Sequence, residues 1–360
     1  MISDASISAV ILAAGKGTRM KSQLPKVLHP LCGRSMIEWV MGAIRDSGVS
    51  DMTLVLSPEL SRFETLLAKH QDVRVVVQES ARGTGDAVAC AALAFSGATI
   101  PSYVDSRLVQ GSPISSGWTM IATGDAPAIS SDTLKRFIKE SKQSKRRLAV
   151  LGMRVPDPRG YGRLVCDASG SLLKIVEEKD ADSATREIKL CNSGVIFCET
   201  KFLFELLSGI TPNNAKNEYY LTDIFGAAAK LGQGAFVFEC ENHEEFAGVN
   251  DRLQLESLES WLLNKRRSEL MLNGVTIHLP STVFLGADVV VCEDSELHGP
   301  VSLTGSTNIG RAVCIKAGST LHDVHVGAGS VIENNVSLAS LRVMAGSIVS
   351  AGTTRSKQDI

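Results

Sequence analysis

Near the C-terminal end of the chain, apolar residues return at every sixth position: Leu285, Val291, Leu297, Leu303, Ile309, Ile315 and Leu321. Neither a helix, with its period of about 3.6, nor a half-buried strand, with its period of about 2, produces that spacing. Small residues and a second apolar position, as at Val289, Val301 and Val313, fill the interval. The register slips by one at Val326, resumes at Ile332 and Leu338, slips again at Val343 and continues at Val349. This is the hexapeptide repeat of a parallel left-handed β-helix. Each coil of that fold buries its apolar positions only by stacking on the next. About four coils are expected, the chain closing on the polar stretch 354–360.

The N-terminal end carries a different signal. A mostly apolar run over 7–14 breaks at Gly15 and continues Lys16-Gly17-Thr18-Arg19-Met20, with Pro25-Lys26 shortly downstream. A short apolar run closed by glycines reads as a buried parallel strand entering a loop. Glycines let backbone N–H groups approach a ligand closely. Lys16, Arg19 and Lys26 add positive charge, so the loop suits a phosphate chain. Two familiar phosphate motifs are excluded. A Walker loop needs Lys then Ser or Thr after its second glycine, and a dinucleotide fingerprint needs a third glycine where Met20 stands.

Between these ends, helical and strand patterns alternate. Helices are expected over 36–46, 61–70 and 86–95, and strands over 52–56, 73–77 and 119–122. That alternation implies an α/β, mostly parallel, Rossmann-like sheet. Ligands in such sheets bind beyond the carboxyl ends of the strands. Gly15, Gln78 and Asp125 all fall at such ends. In Gln78-Glu-Ser-Ala-Arg-Gly83-Thr84-Gly85, the amide of Gln78 offers a donor and an acceptor to a pyrimidine edge. Asp125, in Gly124-Asp125-Ala-Pro127, closes a buried strand with a carboxylate, which calls for a hydrogen-bonded or metal-binding role. Magnesium is held by one or two such oxygens plus substrate phosphates. Asn250, in Val249-Asn250-Asp251, is a plausible second ligand and also suits a helix N-cap. Gly160-Tyr-Gly-Arg163 reads as a tight turn, 175–177 as a strand ending in charge, and Cys191-Asn192-Ser193-Gly194 as the opening of a strand. An amphipathic helix follows over 256–272.

At 360 residues, two domains are more natural than one, and 44% hydrophobic residues provide for a core. The net charge of −2 leaves no electrostatic footprint for nucleic acid. The eight cysteines are scattered without the spacing of a zinc or redox motif, and free buried thiols are expected. No leader pattern and no apolar stretch of membrane-spanning length stands out, so a soluble, cytoplasmic protein is the expectation.

The string Leu12-Ala13-Ala14-Gly15-Lys16-Gly17-Thr18-Arg19-Met20 with Pro25-Lys26 resembles the signature of the sugar-1-phosphate nucleotidylyltransferases. These enzymes join a nucleoside triphosphate to a sugar phosphate and release pyrophosphate. Head and hexapeptide tail together resemble the bacterial bifunctional N-acetylglucosamine-1-phosphate uridylyltransferase/acetyltransferases, most specifically over 7–26, 78–85, 124–127, 160–194 and 246–252. The resemblance implies UTP and N-acetylglucosamine-1-phosphate as substrates, a UDP-sugar precursor of the cell wall as product, and Mg2+ on Asp125 and Asn250. It implies nucleotide contacts at Leu12, Ala13, Ala14, Gly15, Gln78, Gly83 and Thr84, and sugar contacts at Gly160, Glu177, Asn192 and Asn250. Arg19 would neutralise the leaving pyrophosphate and Lys26 the α-phosphate. A homotrimer through the β-helix is implied, with no nucleic-acid or membrane partner. The implied division is a nucleotidylyltransferase domain over 1–252, a connecting helix over 253–272 and a short β-helix over 273–360.

The chain also departs from the family pattern. Asp86 stands where the family has His after Gly-Thr-Gly, and Ala81-Arg82 differ as well. The connection 96–118, with a weak apolar patch over 104–109, is longer than the family's and reads most simply as a surface loop. The tail is short. Its histidines, His278, His298, His322 and His325, are without the His/Lys/Asn clustering of the acetyltransferase site, so acetyl transfer is not expected. His29 sits at an odd offset from Lys26 and would face away from the phosphates if that run is extended. A sugar-1-phosphate dianion needs no general base in any case. The same transfer with another nucleotide or sugar, and a non-catalytic oligomeric scaffold, are the alternatives.

Overall fold

The computed structural model describes residues 6–15, 17–168 and 170–357. Lys16, counted above among the cations of the loop, and Ile360 lie outside the described residues. The chain divides into two compact units, Met1–His29 with Met36–Asp251, and Pro30–Ser35 with Arg252–Ile360.

The first unit is built on a ten-stranded sheet. In chain order its strands are β1 (Ile7–Ala13), β2 (Asp51–Leu56), β3 (Arg74–Gln78), β4 (Ser106–Gln110), β5 (Trp118–Thr123), β6 (Leu148–Arg154), β7 (Arg163–Cys166), β8 (Leu172–Val176), β9 (Leu190–Glu199) and β10 (Phe236–Cys240). They lie in the order β8-β7-β9-β5-β1-β2-β3-β4, with β6 on β9 and β10 on β6. The centre, β5-β1-β2-β3, is parallel. It is mostly apolar because both of its faces are covered. Ala9 and Ile11 of β1 face one side, with Ile37, Val40, Met41 and Ile44 of helix Met36–Asp46. Val10 faces the other, with Val55, Val76, Val88 and Ala91.

From β1 the chain steps outward through β2 and β3, then returns to add β5 on the opposite side of β1. The crevice beyond the carboxyl ends of β1 and β5 is therefore the point where the strand order reverses, the usual place for a ligand in such sheets. The connection 96–118 is not a plain loop. Its residues Ser106–Gln110 form β4, antiparallel to β3, with Leu108 opposite Val76 and Ser106 opposite Gln78.

The second unit contains three parallel sheets of five, five and four strands, stacked as a left-handed β-helix. Leu285 pairs with Leu303 and Leu303 with Leu321, three hexapeptides apart. Leu321 then pairs with Leu338, one residue short of three hexapeptides, which accommodates the slip at Val326. Leu285, Leu297, Leu303, Ile309, Ile315 and Leu321 are at most 1% exposed. Stacking begins upstream of the first hexapeptide, with Ile277 opposite Leu297, so there are more than four coils. Asp294, Asp323 and Asn335 turn corners with positive φ, a region that Asn and Asp tolerate better than most residues.

Helix Arg252–Leu272 is bound to the start of the stack. Arg267 Nε donates to the Val283 carbonyl at 2.8 Å, and Arg266 donates to those of Ala287 at 2.6 Å and Val289 at 3.0 Å. The small hairpin Pro30–Leu31/Arg34–Ser35 joins the same unit. Cys32 N–H donates to Glu259 Oε1 at 2.7 Å, and the Cys32 carbonyl accepts from Ala287 N–H at 2.7 Å. All eight cysteines are free, five of them buried. Among the described residues no helix is long and apolar enough to cross a membrane.

Candidate active site

The segments expected to carry the chemistry meet at the reversal point of the sheet. After Ala13, β1 gives way to the loop containing Gly15 and Gly17, then to a single 3-10 turn, Thr18–Met20. Gly17 has φ 57°, and a Cβ there would lie 2.6 Å from Lys26 Cβ, so only glycine lets the loop fold back on the lysine. Around Gly15 a Cβ would meet nothing within 4 Å, leaving room beside the backbone.

Four polar side chains from three distant parts of the sequence form one cluster. Lys26 Nζ forms an ion pair with Asp125 Oδ2 and donates to Asn250 Oδ1 at 3.3 Å. Arg19 Nη2 donates to the same Asn250 oxygen at 2.7 Å. Asp125 follows β5, and Val249 N–H donates to the Asp125 carbonyl at 3.1 Å, which sets Asn250 beside it. The helix downstream begins at Arg252. Lys26–Leu28 is a 3-10 turn rather than an extended run. The alternation that was to separate His29 from Lys26 therefore does not apply. His29 is nevertheless buried, with its N–H bonded to the Lys26 carbonyl at 3.2 Å.

Two clefts border this cluster, and another shares walls with one of them. That other one, of 620 Å³, is lined by Ala14, Gly15 and Gln78 together with Arg62. A second, of 290 Å³, joins Leu12, Ala13, Ala14, Gly15 and Lys26 to Gln78, Gly83, Thr84 and Asp125. A third, of 270 Å³, contains Asp125 with Gly160, Glu177 and Asn192. The residues singled out for nucleotide line the second cleft, and Gly160, Glu177 and Asn192 of those singled out for sugar line the third; Asp125 belongs to both, and Asn250 reaches them through its cluster with Lys26. Thr84 Oγ1 accepts from Leu221 N–H at 3.1 Å, which ties the 78–85 segment to 217–222.

In the third cleft, Thr222 Oγ1 donates to Glu177 Oε1 at 3.0 Å, and Asn192 Oδ1 accepts from Gly194 N–H at 2.9 Å. Burial pushes the Glu177 carboxyl above its ordinary range. Sequence reasoning missed the frame behind this wall. Arg163, 1% exposed, donates to Glu178 Oε2 at 2.7 Å, and Gly160 N–H donates to that same oxygen at 3.1 Å. The adjacent Glu177-Glu178 pair was the available signal: one carboxylate faces the cleft and the other holds the turn.

In the tail, the His278 and His298 rings stack at 4.4 Å beside Glu296, whereas His322 pairs with Asp323 at 3.1 Å.

A MobA-like NTP transferase domain matches residues 9–188, half of the chain. The bifunctional protein GlmU of Geotalea uraniireducens is 37% identical over 328 residues, covering 91% of this chain and 68% of that protein. The chain belongs to the GlmU family. The GlmU proteins of Pelobacter propionicus and Clostridioides difficile are 35% and 34% identical, over 94% and 93% of this chain and 71% and 69% of theirs. With a GlmU-type head at the reversal point of its sheet, the chain is a sugar-1-phosphate nucleotidylyltransferase, and the α/β head followed by a left-handed β-helix agrees with the expected fold.

Proposed function

We propose that the chain joins UTP to N-acetylglucosamine-1-phosphate, giving UDP-N-acetylglucosamine and pyrophosphate. The observation that carries this reading is the convergence of Arg19, Lys26, Asp125 and Asn250 in one cluster, whose Asp125 lines both the cleft of Gly15, Gln78 and Thr84 and the cleft of Gly160, Glu177 and Asn192.

The nucleophile is a phosphate oxygen of the sugar ester. With a second pKa of about 6 it is already dianionic at neutral pH, so no general base is needed. The work left to the protein is alignment and charge neutralisation for in-line attack on the α-phosphorus. Backbone groups of Leu12, Ala13, Ala14 and Gly15 bind the nucleotide, and Gln78, Gly83 and Thr84 bind its base end. Arg19 neutralises the departing pyrophosphate and Lys26 the reacting phosphate. Gly160, Glu177, Asn192 and Asn250 hold the sugar, whose hydroxyl and acetamido groups require polar partners.

Asp125 and Asn250 also fit a divalent cation. Both present hard oxygens, and both already share a cation, the Lys26 ammonium, which stands between them. Mg2+ held there would supply Lewis-acid neutralisation of phosphate charge. In this reading residues 1–252 are the transferase, 253–272 the connecting helix and 273–360 a trimerisation device without acetyl transfer, in a cytoplasmic enzyme. Sedimentation of the full chain tests the trimer, and acetyl-CoA consumption with glucosamine-1-phosphate tests the missing second activity.

The deciding experiment is pyrophosphate release with UTP, N-acetylglucosamine-1-phosphate and Mg2+, run beside CTP, dTTP and glucose-1-phosphate. Release with the first pair, abolished by chelator, is expected. A second reading, the same transfer with another nucleotide such as dTTP, is left open by Asp86 standing where the family has His, and release with another pair alone would establish it.

A further inference from the structure

The features in which this chain departs from its family's base loop are joined in one hydrogen-bonded assembly behind Gln78. Gln78 ends β3 and is 4% exposed. Its Nε2 donates to Asp86 Oδ2 at 2.7 Å and to the Gly83 carbonyl at 3.3 Å. Asp86 lies in the first turn of helix Thr84–Cys90 and is fully buried. Its other oxygen, Oδ1, accepts from Arg82 Nη2 at 3.0 Å. Arg82 also donates to the carbonyl of Tyr103, in the long connection 96–118. The Tyr103 ring stacks on Tyr219 at 4.0 Å, and its hydroxyl donates to the Leu207 carbonyl at 2.8 Å. Tyr219 N–H in turn donates to the Arg82 carbonyl at 2.8 Å.

A glutamine alone is an ambiguous reader, because turning its amide over exchanges donor for acceptor. Burial raises the Asp86 carboxyl above its ordinary range, while the Gln78 hydrogen bond and the Arg82 charge and hydrogen bonds favour its ionised form; as a carboxylate it can only accept, which removes the ambiguity. Facing Asp86, Gln78 must present its NH2 group, and the two protons of that group are taken by Asp86 and Gly83. Only the amide oxygen remains, on a residue that lines the 290 Å³ cleft. An oxygen can pair only with a donor. Uracil and thymine carry N3–H, whereas cytosine presents a bare N3 lone pair, which would face a second lone pair. The Arg82 guanidinium supplies the countercharge that a fully buried carboxylate requires.

We propose that Asp86, backed by Arg82 and the 96–118 connection, is a positioning residue that locks the Gln78 amide with its oxygen toward the base, so that the site accepts pyrimidines bearing N3–H and rejects cytosine. This rests on the reading of the cleft as a nucleoside triphosphate site. Asp86 does not touch substrate; it acts through Gln78.

The test compares kcat and KM for UTP and CTP, with N-acetylglucosamine-1-phosphate and Mg2+, in the full-length wild type, Asp86→Asn, Gln78→Ala and the double variant. An asparagine keeps the shape but accepts or donates, which frees the amide to turn. The UTP:CTP ratio of kcat/KM is expected to fall about tenfold or more in Asp86→Asn, through KM rather than kcat. In the Gln78→Ala background the same substitution is expected to leave the ratio where Gln78→Ala put it. Arg82→Gln, which removes the countercharge from the rim of the assembly, is expected to shift the ratio in the same direction and serves where Asp86→Asn does not fold. An unchanged ratio in the folded variants, or an equal shift with Gln78 already removed, overturns the proposal. Wild-type protein that releases pyrophosphate from neither nucleotide overturns the substrate reading instead, and the proposal with it.

Discussion

The β-helix and the nucleotidyltransferase head use buried residues for opposite ends. In the tail, burial is repetitive: each hexapeptide buries one large apolar side chain and a second, smaller one that is Val, Ser or Thr, as at Val313, Ser295 and Thr307, and Leu303 touches the same kind of neighbour as Leu285 and Leu321. In the head, the decisive groups are polar and unique, and most of them meet partners from other segments of the chain. Arg19, Lys26, Asp125 and Asn250 lie in three distant parts of the sequence, and Asp86 and Arg163 are buried charges, each with one opposite charge. A periodic core spreads its stability over equivalent positions, whereas a converging site concentrates its function in few.

The sharpest way to break that comparison is through the site. Asp125→Ala and Lys26→Ala are each expected to lower kcat by about 10²–10³ or more, the magnitude usual for one electrostatic partner of a transferring group. The thermal midpoint should move little, because both side chains lie at a cleft wall and not in the core. Turnover within a few-fold of wild type in either variant would dissolve the assigned roles. The tail supplies the converse. Leu303→Ala or Leu321→Ala should cost about 2–5 kcal/mol in denaturant unfolding, with pyrophosphate release in native buffer retained. Equal loss of activity would mean that periodic core and converging site are not separable in this way.

The same contrast governs what can be read from sequence. The period of the tail survives one-residue slips, because each coil is a local repetition of the previous one. Even so, the first coil was invisible: Thr276–His278 precedes the regular hexapeptides, and only pairing with Leu297 and its neighbours reveals it as a strand. In the head, Gly15, Gln78 and Asp125 were legible because each closes an apolar run. β4 was not, since Ser106, Arg107 and Gln110 look like loop residues and the strand exists only as an edge on β3. Nor was the 3-10 turn at Lys26–Leu28, where proline spacing and apolar content also fit an extended run. The salt bridge of Asp86 with Arg82 sits at a helical spacing, yet nothing in the spacing says that the carboxylate is buried and holds Gln78 with its other oxygen.

Gly83→Ala sharpens the comparison at intermediate size. The residue has φ 111°, and a Cβ would lie 2.5 Å from the Tyr219 carbonyl. Backbone strain of that kind costs about 1–3 kcal/mol, and here it falls on a loop proposed to meet the base. The expected result is a KM for UTP raised about tenfold with a lesser fall in kcat. A purely structural glycine would lower the unfolding midpoint and leave KM alone.

The smallest effect is expected at Glu177, where burial and chemistry compete within one carboxyl. Burial raises its pKa above the ordinary 4.5, opposed by the hydrogen bond from Thr222 and the charge of Lys216, and assisted by Asp180 and Glu218. The folded chain therefore holds this proton more tightly than the unfolded chain. The resulting contribution to stability is complete below the unfolded value and is lost as pH rises through the folded one. At neutral pH the ionised side chain is a burden on folding, and the proposed reason for keeping it is a sugar hydroxyl or amide N–H that needs a strong acceptor. Glu177→Gln should accordingly flatten the fall in unfolding free energy above about pH 4.5. In the same protein the KM for N-acetylglucosamine-1-phosphate should rise about 3- to 10-fold, the worth of weakening one charge-assisted hydrogen bond. Stability measured from pH 4 to 8 and sugar-phosphate kinetics at pH 7.5 separate the two contributions. A flattened stability curve with an unaltered KM would leave Glu177 a buried acid of the fold and remove it from the sugar site.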